Sequence, residues 1–149
     1  MIQEDKDLLL KELCARLPYG VKVYFEFEPD IGEKFESHGI LESINIYSQV
    51  EIDSDKLCGQ LLSLEYNKVK PYLFPLSSMT VEQICKVQNL LPSNCNISFK
   101  NQEIIFYDED NVKLEQLEKL FNLFNMWHID YRNLITKGLA IDATRLNIY

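Results

Sequence analysis

Residues 21–28 read Val21-Lys22-Val23-Tyr24-Phe25-Glu26-Phe27-Glu28. Val21, Val23, Phe25 and Phe27 alternate with Lys22, Tyr24, Glu26 and Glu28, and a period of two sends successive side chains to opposite faces, so this stretch predicts a half-buried strand. Upstream, Leu9, Leu10, Leu13, Cys14 and Leu17 recur at helical spacing from Glu4 to Leu17. That pattern predicts an amphipathic helix, which Pro18 and Gly20 should end. Downstream, Pro29, Asp30 and Gly32 supply turn chemistry, and Gly39 to Ile46 alternates again through Ile40, Glu42, Ile44 and Ile46. Val50 and Ile52 then suggest a third strand, and Leu61, Leu62 and Leu64 a fourth. A helix followed by an antiparallel meander of three or four strands is the expectation for the first half.

The second half changes character. In Val69 to Met79, Pro71 and Pro75 each remove a ladder donor, so the segment is expected to be an edge strand or an extended connector. Thr80 and Gln83 stand at capping-box spacing and open a helix to Leu91, with Val81, Ile84, Cys85, Gln88 and Leu91 as its inner stripe. Pro92 ends it. Asn96–Lys100 and Glu103–Tyr107 predict a hairpin turning at Asn101-Gln102. Asp108 and Asp110 favour a helix start, and Leu114, Leu117, Leu120, Phe121 and Phe124 form its apolar stripe, with Glu115 and Lys119 paired outside. Asp130 is placed to cap a last helix, Tyr131 to Lys137, closed by Gly138, and the tail from Leu139 should dock only in part. Strand runs and helices are segregated, with neither repeat nor low-complexity linker, so residues 1–149 are expected to form a single globular α+β domain.

Composition narrows the function classes. The chain of 149 residues is 46% hydrophobic and 26% charged, within the range of ordinary globular domains. Its net charge of −8 is uneven. Up to Glu65 fourteen acids face six bases, whereas from Tyr66 onward the two balance at nine each. A pI near 4.8 argues against direct nucleic-acid binding and against anionic membranes, because that attraction comes from Lys and Arg. An acidic face could engage a basic partner or imitate DNA, although acidity more often only confers solubility. The charged stretch Met1–Lys11 does not resemble a signal peptide, and no apolar run approaches the roughly 20 residues of a membrane span, so a cytoplasmic protein is expected.

The residues that carry chemistry are few. Cys14, Cys58, Cys85 and Cys95 contain no C-x-x-C pair, and His38 and His128 lie far apart, so no zinc motif is present and core cysteines are expected. Asp108-Glu109-Asp110-Asn111 fails as a calcium loop because Lys113 and Lys119 stand where glycine and glutamate are required. The five glycines are scattered singly, so no phosphate cradle is formed and no cofactor is expected. His38, beside Gly39, reads as a solvated turn residue. His128 lies in Trp127-His128-Ile129-Asp130-Tyr131-Arg132, where imidazole, carboxylate, phenol and guanidinium could converge. No nucleophile motif accompanies it, so an enzyme is the less favoured reading. The eight tyrosines offer interface anchors, though most should line the core. Pro71, Tyr72, Phe74 and Pro75 could form a partner groove or simply cover a sheet edge, and edge cover is the plainer reading.

Three blocks carry a resemblance: Leu13-Cys14-Ala15-Arg16-Leu17-Pro18-Tyr19-Gly20-Val21, then Val69-Lys70-Pro71-Tyr72-Leu73-Phe74-Pro75-Leu76-Ser77-Ser78-Met79-Thr80, then Asp130-Tyr131-Arg132-Asn133-Leu134-Ile135 with Gly138-Leu139-Ala140. They resemble a group of uncharacterised small proteins of gut anaerobic bacteria, often associated with prophages and other mobile elements, while Glu28–Leu64 departs freely. The resemblance implies a genomic setting and a single-domain architecture, and it brings no catalytic residue. All three blocks fall at junctions between elements, which makes them either a structural clasp or one composite surface with Tyr72, His128, Tyr131 and Arg132 as its polar lining. The leading expectation is a non-enzymatic protein-binding or adaptor module with an unknown protein partner. A small hydrolase or transferase using His128 with Asp130 or Tyr131, and an acidic DNA mimic, are the alternatives.

Overall fold

The computed structural model describes residues 1–29, 32–66, 68–93, 97–99, 103–106 and 112–149. The architecture is α+β, built on a mixed sheet. Helix α1 (Gln3–Arg16) ends in a 3₁₀ turn at Leu17–Tyr19, and Gly20 takes the left-handed conformation (φ 64°) that reverses the chain into the sheet. Strands β1 (Lys22–Phe27), β2 (Phe35–Ile44), β3 (Gln49–Asp53) and β4 (Leu62–Ser63) form the expected antiparallel meander in the spatial order β4-β3-β2-β1. Val21, Val23 and Phe25 point into the core beneath α1, as the alternation requires.

Strand β2 departs from its sequence reading in extent and in phase. It starts at Phe35, whose ring packs edge-on against Phe27 at 5.5 Å, and this fixes Phe35, Ser37, Gly39 and Leu41 on the inner side. Ile40 is therefore exposed, Ile46 lies exposed in the turn beyond the end of the strand, and His38 lies within the strand opposite Tyr24 instead of in a turn. A bulge between Leu41 and Ser43 then shifts the register, and Ile44 packs against the core. Gly39 is fixed by close approach: a Cβ there would lie 2.3 Å from the Asp53 carbonyl oxygen and 2.6 Å from Ile52.

The proline-bearing segment is the main correction to the fold. Strand β5 (Lys68–Pro75) is central, not an edge: it pairs antiparallel with β1 along its first half and parallel with β8 (Ile129–Asp130) and β9 (Ile141–Asp142) along its second. The prolines are tolerated because each falls where a ladder stops. Pro71 is the last residue paired with β1, and Pro75 is the last of the strand. Between them the peptide joining Leu73 to Phe74 is used in both directions, its carbonyl accepting from Ala143 N–H (2.8 Å) and its N–H donating to the His128 carbonyl (2.9 Å). The two groups of a trans peptide point oppositely, so the strand is held on both sides.

Helix α2 (Val81–Leu90) has the expected capping box, with Thr80 and Gln83 each bonding the other's backbone N–H. Its inner face is Ile84, Val87 and Leu91, whereas Val81 and Cys85 are exposed. Cys14 and Cys58 are exposed too, so these three thiols are not core residues, and Cys95 lies outside the described residues. Short strands β6 (Ile97–Ser98) and β7 (Ile105–Phe106) pair antiparallel as expected, although their turn at Asn101-Gln102 lies outside the described residues. Helix α3 (Leu114–Met126) starts beyond Asp108 and Asp110, which are also outside them, and Leu114 is exposed while Leu120 and Phe124 are buried.

No helix follows. From Tyr131 to Gly138 the chain runs through turns, because Asp130 draws the N–H groups of Leu134 (2.9 Å) and Ile135 (2.8 Å) onto its carboxylate and Asn133 adopts φ 61°. Two hydrophobic clusters result. One lies between α1 and the meander, and the other gathers α2, α3, β8 and the β6–β7 hairpin around Leu76, Val87, Leu120, Phe124 and Ile129. Among the described residues no helix is long and apolar enough to cross a membrane.

Candidate functional site

The two clusters meet where α3 turns into β8. Trp127 N–H still bonds the Leu123 carbonyl (2.9 Å), and then His128, at φ 54°, reverses the chain so that its own carbonyl joins β5. A buried non-glycine residue in the left-handed region is strained, and here β5 on one side and the Asn125 carbonyl on the other hold it.

Helix α1 brings two charges to this junction. Glu12 and Arg16 are completely buried, one turn apart on the face shared with Leu9 and Leu13. Arg16 bonds Glu12 with one nitrogen and the Ile129 carbonyl with another (2.6 Å), and Arg132 meets the second Glu12 oxygen at 2.7 Å. Burial pushes the Glu12 carboxyl above the ordinary range, against the opposing pull of Arg16 and Arg132. Both guanidinium groups also approach the Tyr131 ring, at 5.4 and 5.0 Å. That ring packs on Phe121 and Phe124 (5.2 and 5.6 Å), and its hydroxyl donates to Asn125 Oδ1 at 3.1 Å. Tyr131 is thus held at its faces and at its tip.

Outside this cluster opens a groove of about 500 Å³, lined by Glu103, Ile104, Phe106, Phe121, Tyr131, Arg132 and Asn133. Of the four residues expected to form one lining, Tyr131 and Arg132 face the groove, and His128 and Tyr72 do not. Those two meet around Tyr149 instead. The His128 ring stacks on the Tyr149 ring at 4.4 Å and 15°, and the Tyr149 hydroxyl accepts from Lys22 N–H (3.1 Å) and donates to the Tyr72 carbonyl (2.9 Å). Burial, with a smaller contribution from Arg16, lowers the His128 pKa to about 4 and keeps the imidazole neutral at pH 7. Its Nδ1 has no hydrogen-bond partner among the described residues, and Asp130, the carboxylate nearest in sequence, bonds backbone N–H groups instead. Tyr72 is buried on β5, and that burial raises its phenol pKa.

Glu12, Arg16 and Tyr149 complete this neighbourhood, and no sequence motif marks them. The first two were legible in principle, since Glu12 is three residues after Leu9 and Arg16 three after Leu13, which is the spacing of one helical face. Tyr149 carried no local signal. Among the described residues no cluster of three or more His, Cys, Asp or Glu side chains could hold a metal ion. Comparison with protein-family models, with curated proteins and with solved structures finds no match.

Proposed function

We propose that the chain is a non-enzymatic protein-binding module, carried on a prophage or another mobile element in keeping with the resemblance of its three blocks, and that its partner docks in the groove over Tyr131 and Arg132. The observation that carries this reading is the lining itself. Aromatic rings and a guanidinium are the side chains that dominate binding energy at protein interfaces. Here they stand in an open groove while Glu12, Arg16 and Asn125 hold them from behind. A lining fixed in advance loses little conformational entropy on binding. The acidic sheet is the weaker surface, because Glu26 is already paired with Lys34 and Lys68, and Tyr24 bonds Glu36.

The test is capture from the lysate of the native host by tagged wild-type chain, by Ile104→Asp and Arg132→Ala in the groove, and by Glu36→Ala on the sheet, each washed at low and high salt. A partner retained by wild type and by Glu36→Ala at both salts, and lost by both groove variants, is expected. Exposed charge pairs are screened within about 10 Å at 0.1 M salt, so contacts made by rings persist through the wash. A partner that both groove variants hold as well as wild type does overturns the reading.

A further inference from the structure

We propose that the slot beside His128 is a binding site for a para-substituted phenol ring, and that Tyr149 is its resident occupant. The slot has a fitting for each part of a phenol. The His128 imidazole stacks on one ring face at 4.4 Å, and Phe74 packs against the ring at 5.7 Å. At the hydroxyl, Lys22 N–H donates and the Tyr72 carbonyl accepts, at 3.1 and 2.9 Å. The Lys22 ammonium lies 5.8 Å from the ring centroid, within cation–π range. These fittings come from three elements far apart in the chain, β1, β5 and the α3–β8 turn, and the three are joined through the sheet and the bond from Phe74 N–H to the His128 carbonyl. The receptor is therefore built without help from the segment that fills it.

The occupant is held far less firmly than the receptor. After Ala143, which is buried and bonded to Leu73, residues 144–148 leave regular structure, and Thr144, Arg145, Leu146 and Asn147 are exposed. Beyond Leu146 the segment is attached through Lys22 to the Ile148 carbonyl and through the Tyr149 side chain. Tyr149 itself leaves 45% of its surface to solvent. Residues 144–147 add little buried surface to this hold, so the segment stays in place chiefly through the contacts of Tyr149 itself, and releasing them uncovers the His128 ring with both hydroxyl partners unmet. An incoming phenol has to compete only with the local concentration of a short tethered tyrosine, which is of millimolar order.

The phenol can be a free small molecule or the tyrosine of another polypeptide segment, and two probes separate these sources. In Tyr149→Ala, p-cresol should shift the Lys22 backbone amide resonance saturably with one-to-one stoichiometry, and a peptide of residues 144–149 should shift the same resonance. p-Xylene, isosteric but without the hydroxyl, should bind roughly tenfold more weakly, as expected for the loss of two hydrogen bonds. Wild type should need about tenfold more p-cresol than the variant does, because Tyr149 competes. Recognition of the ring is overturned if folded Tyr149→Ala shows no saturable Lys22 shift with p-cresol, if p-xylene binds equally well, or if only the peptide binds. Should Tyr149→Ala not fold, the wild type decides: millimolar p-cresol must release the Tyr149 ring resonances to free-tyrosine positions, and unchanged resonances overturn the proposal.

Discussion

The two hydrophobic clusters are closed by different chemistry. Under the meander, Leu9, Leu13, Val23, Phe25, Val50 and Leu62 meet with aliphatic and aromatic carbon alone, and each of these six follows from a strand period or a helical turn. The second cluster is sealed at its boundary by charge, with Glu12, Arg16 and Arg132 packed against the rings of Tyr131, Phe121 and Phe124. Apolar packing is permissive about partners, whereas a buried guanidinium accepts one arrangement of acceptors. The contrast teaches that the first cluster supplies bulk stability and that the charged seam sets how the second cluster sits upon it.

Four measurements break or sharpen that contrast. Glu12→Leu leaves two guanidinium groups without their carboxylate, one of them fully buried, and should cost about 3–5 kcal/mol in urea unfolding. Glu12→Leu combined with Arg16→Met should recover part of that loss, since the pair is then replaced by carbon. A double variant no better than the single one would show that the seam does not act as a charge pair. Next, Gly39→Ala drives a Cβ into the Asp53 backbone between β2 and β3 and should cost about 3 kcal/mol by the same assay, with the meander bearing the loss.

The third concerns pH. With its folded-state pKa lowered from 6.5 to about 4, His128 stays neutral in the native chain while the unfolded chain takes up a proton. Its contribution is therefore complete above pH 6.5 and is lost as pH falls to 4, by up to about 3 kcal/mol. His128→Asn, which tolerates the same left-handed backbone, should show a flatter stability curve across that window, and parallel curves would remove His128 as the acid-sensitive group. The smallest effect belongs to Thr80→Ala, which takes one half of the α2 capping box and should cost about 1 kcal/mol without disturbing the seam.

How far the sequence could be read follows the same division. The meander was legible because one side of each strand must face α1, and Val23, Phe25, Val50 and Ile52 obey that rule. The α2 cap was legible because Thr80 and Gln83 are local to it. Features fixed by partners distant in the chain were not. Pro71 and Pro75 read as an edge because nothing nearby shows that one ladder stops at the first and the strand at the second. Cys14 took the place of Arg16 on the inner face of α1, because a charged residue is rarely buried unless its partner is known, and the carbonyl it bonds is 113 positions away. Of the site residues, Tyr131 and Arg132 stood out through their shared block. His128 and Tyr72 belong to a different neighbourhood, organised by a ring that no motif marks.

The position of β5 has a consequence for the order in which the chain acquires structure. Its partner β1 precedes it in the chain, so the half paired with β1 can form as soon as β5 itself is made. The half from Tyr72 to Pro75 cannot, since its partners Ile129, Asp130, Ile141 and Asp142 are made long afterwards. During synthesis the strand therefore waits with open backbone groups on both sides of the Leu73–Phe74 peptide, which is a template for pairing with another nascent chain. Pro71 and Pro75 bracket this exposed stretch, and each removes a donor from it. The residues that seemed to bar the segment from the middle of a sheet thus guard it against mispairing until its own partners arrive.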